Sequence, residues 1–249
     1  MRRYFLEVAY KGTNYSGSQV QQNANSIQAE IEKAFTVLQS SEVSLTGSSR
    51  TDAGVHALQN FFHFDYGGEL HPHFTYKINA ILPADIVVRK IIPVNNDAHC
   101  RFDAVSREYK YFIYQEKNPF LQDRAFYFPY TLEFGRMQET AEAVKDCTDF
   151  TSFSKRNTQA KTFICRIAES YWEQDNGSLI FHVTGDRFLR GMVRALDGSM
   201  LEVGRGKLTT SDFRDIVEAR DRTGASFAVP PHGLYLVRVN YPDGFFLQP

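Results

Sequence analysis

The residue best placed to do chemistry is Asp52, which lies in the octet 50–57, Arg-Thr-Asp-Ala-Gly-Val-His-Ala. Strand-like segments flank the octet at 42–46 and 60–66, and loops on a rigid sheet commonly carry catalytic groups. A carboxylate in such a loop can act as a nucleophile or as a general base. Thr-Asp-Ala-Gly also suits a β-turn, in which Asp binds its own backbone and Gly supplies a positive φ. These four residues alone therefore fit a catalytic loop and a structural turn equally well, and Arg50 with the rest of the octet favours the catalytic loop.

The composition predicts a packed globular protein in a reducing compartment. Of the 249 residues, 43% are hydrophobic and 14% are aromatic, which suits a buried core and argues against disorder. Cys100, Cys147 and Cys165 are too few and too dispersed for a disulfide framework or a C-x-x-C metal site. No stretch approaches the roughly 20 apolar residues of a membrane span, so we expect a cytoplasmic protein with no membrane partner.

The net charge of −1 argues by itself against a non-specific nucleic-acid binder. The placement of the basic residues matters more, because a fold that gathers them on one face makes a phosphate-binding track. The alternative is that these charges are scattered and solvated. The basic residues concerned are Arg101, Arg107, Lys110, Lys155, Arg156, Arg187, Arg190, Arg194, Arg205 and Lys207.

The hydrophobic periodicity indicates two successive sets of strands and helices. The first set has strands at 4–10, 42–46, 60–66 and 85–94 and helices at 26–40 and 73–82. The second has strands at 108–116, 162–173, 178–184 and 234–241 and helices at 133–147, 188–203 and 210–220. We therefore predict an α+β fold of two ferredoxin-like (RRM-like) halves, residues 1–105 and 106–249, that form one continuous, mostly antiparallel sheet with helices on one face and a central cleft.

The predicted helix 188–203 separates an apolar stripe from a basic face. The stripe consists of Leu189, Met192, Val193, Leu196 and Met200, and the basic face consists of Arg187, Arg190 and Arg194. The stripe can pack on the sheet while the arginines meet a ligand in the cleft. Alternatively, the arginines are solvated and Asp197 is a surface partner of Arg194.

Alternation along the predicted strand 108–116 places Tyr109, Tyr111 and Ile113 on one face. If that face carries no helices, Tyr109 can reach a ligand near Asp52. Tyrosines also pack well in strands, and the strand alone favours that plainer role.

The seven histidines give weaker signals. His71 and His73 have a spacing that metals can use, but no third ligand is evident. We expect His56 to order the aspartate loop. We also expect no metal and no small-molecule cofactor.

Two further segments, together with the octet, resemble the motifs of the tRNA pseudouridine synthase A (TruA) family. Residues 107–111, Arg-Glu-Tyr-Lys-Tyr, resemble the second family motif, and residues 187–194, Arg-Phe-Leu-Arg-Gly-Met-Val-Arg, resemble the third. Shorter matches follow in collinear order at 79–83, 101–104, 149–153, 198–204 and 233–236. The resemblance thus covers nearly the whole chain and is far more specific than one octet.

The chain departs from the family pattern at two positions. It reads Gly17-Ser18-Gln19 where the family usually has Gly-Trp-Gln, so an aromatic surface is missing there. Ser49 precedes the octet where glycine is commoner. Neither departure touches Asp52, Tyr109 or Arg194.

The resemblance implies the pseudouridine synthase fold and an isomerase that converts uridine to pseudouridine in tRNA. Asp52 matches the family's catalytic nucleophile, Tyr109 matches the tyrosine that lies against the target base, and Arg194 matches the arginine that pairs with the aspartate. We expect Arg50 to hold the displaced nucleotide or its phosphate, with further substrate contacts from Arg107, Arg187 and Arg190. The family acts as a homodimer on uridines 38, 39 and 40 of the anticodon stem-loop.

Other functions stay open at this point. A nucleoside or glycoside hydrolase would use Asp52 with a second carboxylate, which only folding of Asp103 or Glu108 toward it could supply. A non-catalytic RNA-binding module would suit the ferredoxin-like halves and the aromatic strand 60–66, but the glycine-spaced aromatic motif of such modules is missing. A synthase for another RNA or another site is a further alternative.

Overall fold

The computed structural model describes residues 1–155 and 160–246, so Arg156 of the predicted basic track lies outside the described residues. The chain divides into two compact units. The first unit comprises residues 1–105 and 236–249, and the second comprises residues 106–235. The halves expected from the sequence differ from this division in the placement of 236–249.

The first unit combines five strands with two helices. Its elements are β1 (Arg2–Tyr10), α1 (Ile27–Gln39), β2 (Thr46–Gly47), β3 (His56–Tyr66), α2 (Phe74–Ile81), β4 (Ile86–Val94) and most of β9 (Leu234–Asn240). The strand order is β4-β1-β3-β9, and β2 pairs with β3. β1 runs antiparallel to both β3 and β4. The long central strands β1 and β3 therefore form the scaffold on which the loop 48–55 is mounted.

Side chains alternate along β3, so the strand packs against two different layers. Phe64 faces α1, where its ring meets that of Phe35 at a centroid distance of 5.1 Å. Phe61 faces the opposite side, where its ring meets that of Tyr241 edge to face at 5.3 Å. β3 is thus buried on both faces over residues 60–64.

The second unit has an antiparallel sheet with three helices. Its elements are β5 (Ser106–Tyr114), β6 (Phe126–Tyr127), α3 (Phe134–Val144), β7 (Ile167–Asp175), β8 (Ser178–Gly185), α4 (Met192–Gly204) and α5 (Thr210–Ala219). The order is β5-β8-β7, with β6 parallel to β5. Asn176 and Gly177 join β7 to β8 with φ of 47° and 79°, the conformation that suits a two-residue hairpin.

One row of aromatic side chains shows which face of the second sheet α4 covers. Tyr111 of β5 is paired in register with Phe181 of β8, which is paired with Trp172 of β7. The indole N–H of Trp172 donates to the sulfur of Met200 in α4 at 3.4 Å. Cross-strand partners point to the same side of a sheet, so this row lies beneath α4.

The predicted α+β class with mostly antiparallel strands is confirmed. Four elements begin several residues from the predicted position. Residues 42–46 form no strand before Thr46, β3 begins at His56 rather than at 60, β7 at Ile167 rather than at 162, and α4 at Met192 rather than at 188. Gly191, with φ of 74°, lies in the left-handed region at the N-cap, so Arg187 and Arg190 precede the helix and do not share a helical face with Arg194. No helix in residues 1–155 and 160–246 is long and apolar enough to cross a membrane.

Candidate active site

The loop that carries Asp52 is held from one side by Ser18. The backbone N–H of Thr51 donates to Ser18 Oγ at 2.9 Å, and the backbone N–H of Ser18 donates to the carbonyl of Thr51 at 3.1 Å. Ser18 Oγ also donates to the carbonyl of Ser49 at 3.4 Å. Ser18 is buried, so each of these bonds lies out of water. A residue that departs from the family pattern therefore braces the loop immediately before the aspartate.

Two glycines let a neighbouring segment approach the loop closely. A Cβ at Gly12 would lie 2.0 Å from the carbonyl oxygen of Val55, and a Cβ at Gly17 would lie 2.7 Å from that of Thr51. Gly17 also has φ of 107°, which side chains of other residues rarely tolerate. The backbone N–H of Gly12 donates to His56 Nδ1 at 3.0 Å, so His56 helps to join the end of the loop to this segment.

A buried polar network supports the loop from below. The hydroxyl of Tyr10 lies 2.8 Å from Thr51 Oγ1, and Asn60 Nδ2 donates to the Tyr10 hydroxyl at 3.1 Å. Asn60 Nδ2 also donates to the carbonyl of Ser49 at 3.1 Å, and Ser48 Oγ donates to Asn60 Oδ1 at 2.8 Å. Burial raises the pKa of Tyr10, so its hydroxyl stays neutral and keeps its proton for this network. The sequence signals did not identify Tyr10 or Asn60.

Asp52 itself is half-exposed in this rigid setting, and Arg50 is exposed. The carbonyl of Asp52 accepts the N–H of Val55 at 3.1 Å, which closes a turn over residues 52–55, one residue later than the Thr-Asp-Ala-Gly turn expected from the sequence. The structural turn and the catalytic loop are therefore compatible interpretations of the same residues. A turn of this kind fixes the backbone of Asp52 and leaves its carboxylate accessible to a ligand.

In the second unit, Tyr109 lies at the start of β5 on the face that α4 covers. It shares this face with Tyr111, two residues later, so the condition that its face be free of helices is not met. The Tyr109 ring meets the Phe188 ring edge to face at 5.1 Å, and 8% of the residue is exposed. Packing against Phe188 fixes the ring, and Tyr109 is buried.

Arg194 is held by the backbone of Val229. Its Nε donates to the Val229 carbonyl at 2.6 Å, and the Val229 N–H donates to the Arg194 carbonyl at 3.1 Å. One edge of the guanidinium is thus committed to the backbone, and the side chain is half-buried. An arginine can keep further N–H donors for a carboxylate while its Nε is engaged in this way.

Asp197, one helical turn after Arg194, is completely buried. Neither carboxyl oxygen has a hydrogen-bond partner among the described residues. Burial raises the pKa of Asp197 well above the usual carboxyl range, although the charge of Arg194 acts in the opposite direction. The interpretation of Asp197 as a surface partner of Arg194 is therefore wrong.

Of the other candidate arginines, Arg107 lies near the start of β5, and Arg187 and Arg190 lie in the irregular segment between β8 and α4. Arg107 Nη1 donates to the carbonyl of Asp186 at 2.9 Å, and Arg187 Nη1 donates to the carbonyl of Thr162 at 3.3 Å. Arg190 is exposed. These contacts orient two guanidinium groups and leave them at the surface.

Two members of the predicted basic track are ion-paired. Arg205 and Lys207 both contact Glu202, at 3.3 and 3.1 Å. Their charges are locally compensated, so they are weaker phosphate ligands than the arginines near β8.

The fold and the braced loop aspartate define a class, the pseudouridine synthases. The sequence profile described as tRNA pseudouridine synthase matches residues 7–103 and 147–242. The tRNA pseudouridine synthase A of Parabacteroides distasonis is 45% identical over 249 residues, which cover 99% of this chain and 98% of the relative. That of Porphyromonas gingivalis is 44% identical, with 99% of this chain and all of the relative covered, and that of Staphylococcus aureus strain Newman is 36% identical, with 99% and 93% covered.

The chain belongs to the tRNA pseudouridine synthase family. It is accordingly an isomerase, as the resemblance in the sequence predicted. The motifs at 50–57 and 187–194 lie within the two matched segments, and the motif at 107–111 lies between them.

Proposed function

We propose that this enzyme isomerises uridine to pseudouridine at positions 38, 39 and 40 of the tRNA anticodon stem-loop, with Asp52 as the nucleophile or general base. The observation that carries this proposal is the state of the Asp52 loop. Ser18 and Asn60 hold its backbone through buried hydrogen bonds, and Tyr10 bonds the hydroxyl of Thr51, whereas Asp52 itself is half-exposed. A group held in this way is pre-positioned for attack without a cofactor.

The reaction is balanced within one nucleotide. The bond between ribose C1′ and uracil N1 breaks, a bond between C1′ and C5 forms, the proton on C5 leaves, and N1 takes up a proton. No net oxidation and no group transfer to a second molecule occur. An ionised carboxylate can serve by attacking the sugar, by attacking the base or by removing a proton.

Tyr109 and Arg194 supply the remaining groups in this proposal. Tyr109 stacks on the uracil and can carry the proton away, and its contact with Phe188 supports a fixed ring. Arg194 pairs with Asp52 and keeps it ionised while the base displaces water. The bonds between Arg194 and Val229 support this role, because they restrict the guanidinium to one orientation.

The target base must leave its stack to meet these groups. We assign Arg50 to the displaced nucleotide or its phosphate, and Arg107, Arg187 and Arg190 to the RNA backbone. We further propose a homodimer with the RNA across both subunits. Recognition would then depend on RNA shape and flexibility rather than on base sequence, because one enzyme must modify uridines at three adjacent positions.

A tritium-release assay tests the central proposal. Unmodified tRNA labelled at uracil C5 is incubated with the pure protein, without additives, and with the variants Asp52→Asn and Asp97→Asn. Asp97 is an exposed carboxylate in the same unit, so its variant controls for the chemical change. We expect label release and pseudouridine from the wild type and Asp97→Asn, and neither from Asp52→Asn.

The products separate the alternatives. Free uracil would indicate hydrolysis, and tight tRNA binding without turnover would indicate a binding module. A requirement for added metal would contradict the expected lack of a cofactor. Transcripts that carry a single uridine at 38, 39 or 40 test the position, and product elsewhere would contradict it. Sedimentation with and without tRNA tests the dimer.

A further inference from the structure

One side-chain cluster in the first unit has no part in the proposed reaction. It consists of His63 on β3 and of His99 and Cys100 in the segment after β4. One ligand atom from each residue lies within 4.8 Å of the other two. His63 Nδ1 is 3.2 Å from Cys100 Sγ, and the two imidazole rings meet edge to face at 4.6 Å. The cluster thus gathers one sulfur and two nitrogen donors around one point.

This donor set has a specific chemical preference. One thiolate and two imidazoles suit a borderline-soft ion of the zinc type better than magnesium or calcium, which prefer oxygen ligands. His63 and Cys100 are buried, and His99 lies at the boundary with solvent. Three inward-facing ligands with one side open to water match a tetrahedral site whose fourth ligand is a water molecule.

Packing also holds one of the two imidazole rings. Phe5 stacks on His63 at a centroid distance of 6.0 Å, which fixes that ring on its other side.

The charges around the cluster do not exclude a cation. Arg3 lies near Cys100, but its guanidinium is held by both carboxylate oxygens of Asp65 at 2.8 and 2.7 Å. Asp103 accepts the backbone N–H of His99 at 2.8 Å, and its negative charge acts on both imidazoles. Arg101 also acts on His99, so the two nearby carboxylates, Asp65 and Asp103, balance the two nearby arginines.

We propose that His63, His99 and Cys100 bind one Zn²⁺ ion that joins β3 to the segment after β4. Binding requires the Cys100 thiol to release its proton to solvent, and the resulting thiolate bonds the ion. The thiol then no longer donates to the Thr46 carbonyl, to which it now lies at 3.0 Å. The ion stabilises the first unit and takes no part in the isomerisation.

Coordination of the ion also requires two backbone hydrogen bonds to the imidazole rings to break. The Cys100 N–H donates to His63 Nδ1 at 3.3 Å, and the Arg101 N–H donates to His99 Nδ1 at 3.1 Å. Because these bonds are lost on coordination, the affinity is expected to be lower than that of a site with four protein ligands. The sequence predicted no metal, and this proposal differs from that prediction. Spacing along the sequence could not identify the site, because His63 is 37 residues away from Cys100.

Cobalt substitution tests the site directly. Protein freed of metal with a chelator is titrated with Co²⁺, and then Zn²⁺ is added. We expect one Co²⁺ per chain, a near-ultraviolet band from thiolate-to-cobalt charge transfer, and loss of that band when Zn²⁺ displaces the cobalt. Zn²⁺ should also raise the melting temperature of the metal-free chain by roughly 2–4 °C or more.

Matched variants show whether these residues are responsible. Cys100→Ala and His99→Gln should each abolish the band and the thermal shift. Cys147→Ser, which changes another thiol, and His71→Gln, which disrupts the other close histidine pair, should preserve both. A wild-type protein without the charge-transfer band overturns the proposal, as does a band that persists in folded Cys100→Ala or disappears in Cys147→Ser. His99→Gln keeps the test decisive if Cys100→Ala does not fold, because His99 is partly exposed.

Discussion

Ser18 and Thr51 are joined by two backbone-directed hydrogen bonds in opposite directions. The Thr51 N–H donates to Ser18 Oγ at 2.9 Å, and the Ser18 N–H donates to the Thr51 carbonyl at 3.1 Å. Both bonds are buried, and Thr51 directly precedes Asp52. The position of the proposed nucleophile therefore depends on a serine in a distant part of the sequence.

The first prediction is that Ser18→Ala lowers kcat strongly and lowers the free energy of unfolding only modestly. The variant leaves the buried Thr51 N–H without its acceptor, which costs about 1–3 kcal/mol of unfolding free energy. A small displacement of the loop should reduce kcat by on the order of 100-fold, because the reacting atoms are then misaligned. Denaturant unfolding and tritium release measure the two effects. Ser16→Ala, at an exposed neighbouring position, should change neither; equal turnover in both variants would refute the bracing role.

The second prediction concerns Arg194→Lys. Lysine keeps the charge but has no Nε–H to donate to the Val229 carbonyl, so its ammonium group is not held in one orientation. We expect kcat to fall by on the order of 100-fold with retained folding. Single-turnover kinetics with saturating tRNA measures the effect. Arg205→Lys, at the other end of α4 and paired with Glu202, is the control and should keep normal turnover.

The third prediction separates two tyrosines of one strand. Tyr109→Phe keeps the stacking ring and removes the hydroxyl, so turnover should fall by roughly 10²–10⁴-fold if that hydroxyl carries the proton. Tyr111→Phe removes a buried bond to the Pro230 carbonyl, 2.8 Å long, and should cost about 1 kcal/mol of stability with turnover largely kept. Melting temperature and kcat are measured for both. An active Tyr109→Phe would assign proton transfer to another group.

The fourth prediction is a pH-dependent gain in stability from Asp197→Asn. The pKa of Asp197 is raised in the fold, so the folded state favours the protonated acid. The stability of the wild type should therefore fall as pH rises above the unfolded carboxyl value of about 4 and become constant above the folded pKa. Asparagine cannot ionise, so the variant should gain about 1–3 kcal/mol over the wild type across this window.

Melting curves between pH 4 and 9 measure this difference. Asp215→Asn, which changes an exposed carboxylate on α5, is the matched control and should show no comparable gain. A variant that loses stability at alkaline pH would mean that Asp197 is ionised and paired in the native protein.

Most elements could be predicted because their signals are local. Helical spacing from 26 to 40 identified α1, observed at Ile27–Gln39, where Ser26 caps the first turn by accepting the Ala29 N–H at 3.2 Å. The Asn176-Gly177 dipeptide identified the hairpin between β7 and β8, since both residues tolerate the required positive φ. The start of α4 was missed because the apolar stripe continues through Leu189 although Gly191 adopts a left-handed conformation.

The candidate site was predictable in type but not in detail. The octet around Asp52 is contiguous in sequence, so its chemistry is visible without a fold. The loop is supported by Tyr10, Ser18 and Asn60. Most of the hydrogen bonds involved join residues that are 31–50 positions apart in the chain. The bond from Asn60 to the Ser49 carbonyl is the shorter-range exception. Asp197 was misassigned because helical spacing to Arg194 does not reveal which face of α4 is buried.

The sequence by itself determined the α+β class, the family and the identity of the proposed nucleophile, because these depend on short motifs and on local periodicity. Only the tertiary structure decided which side chains brace Asp52, which acid is buried without a partner, and that His63 lies beside His99 and Cys100. The physical reason is that pairing of β1 with β3 and β4 in the first unit, and packing of α4 on the sheet of the second, set these distances. The energies of such contacts are summed over many residues that no single motif records.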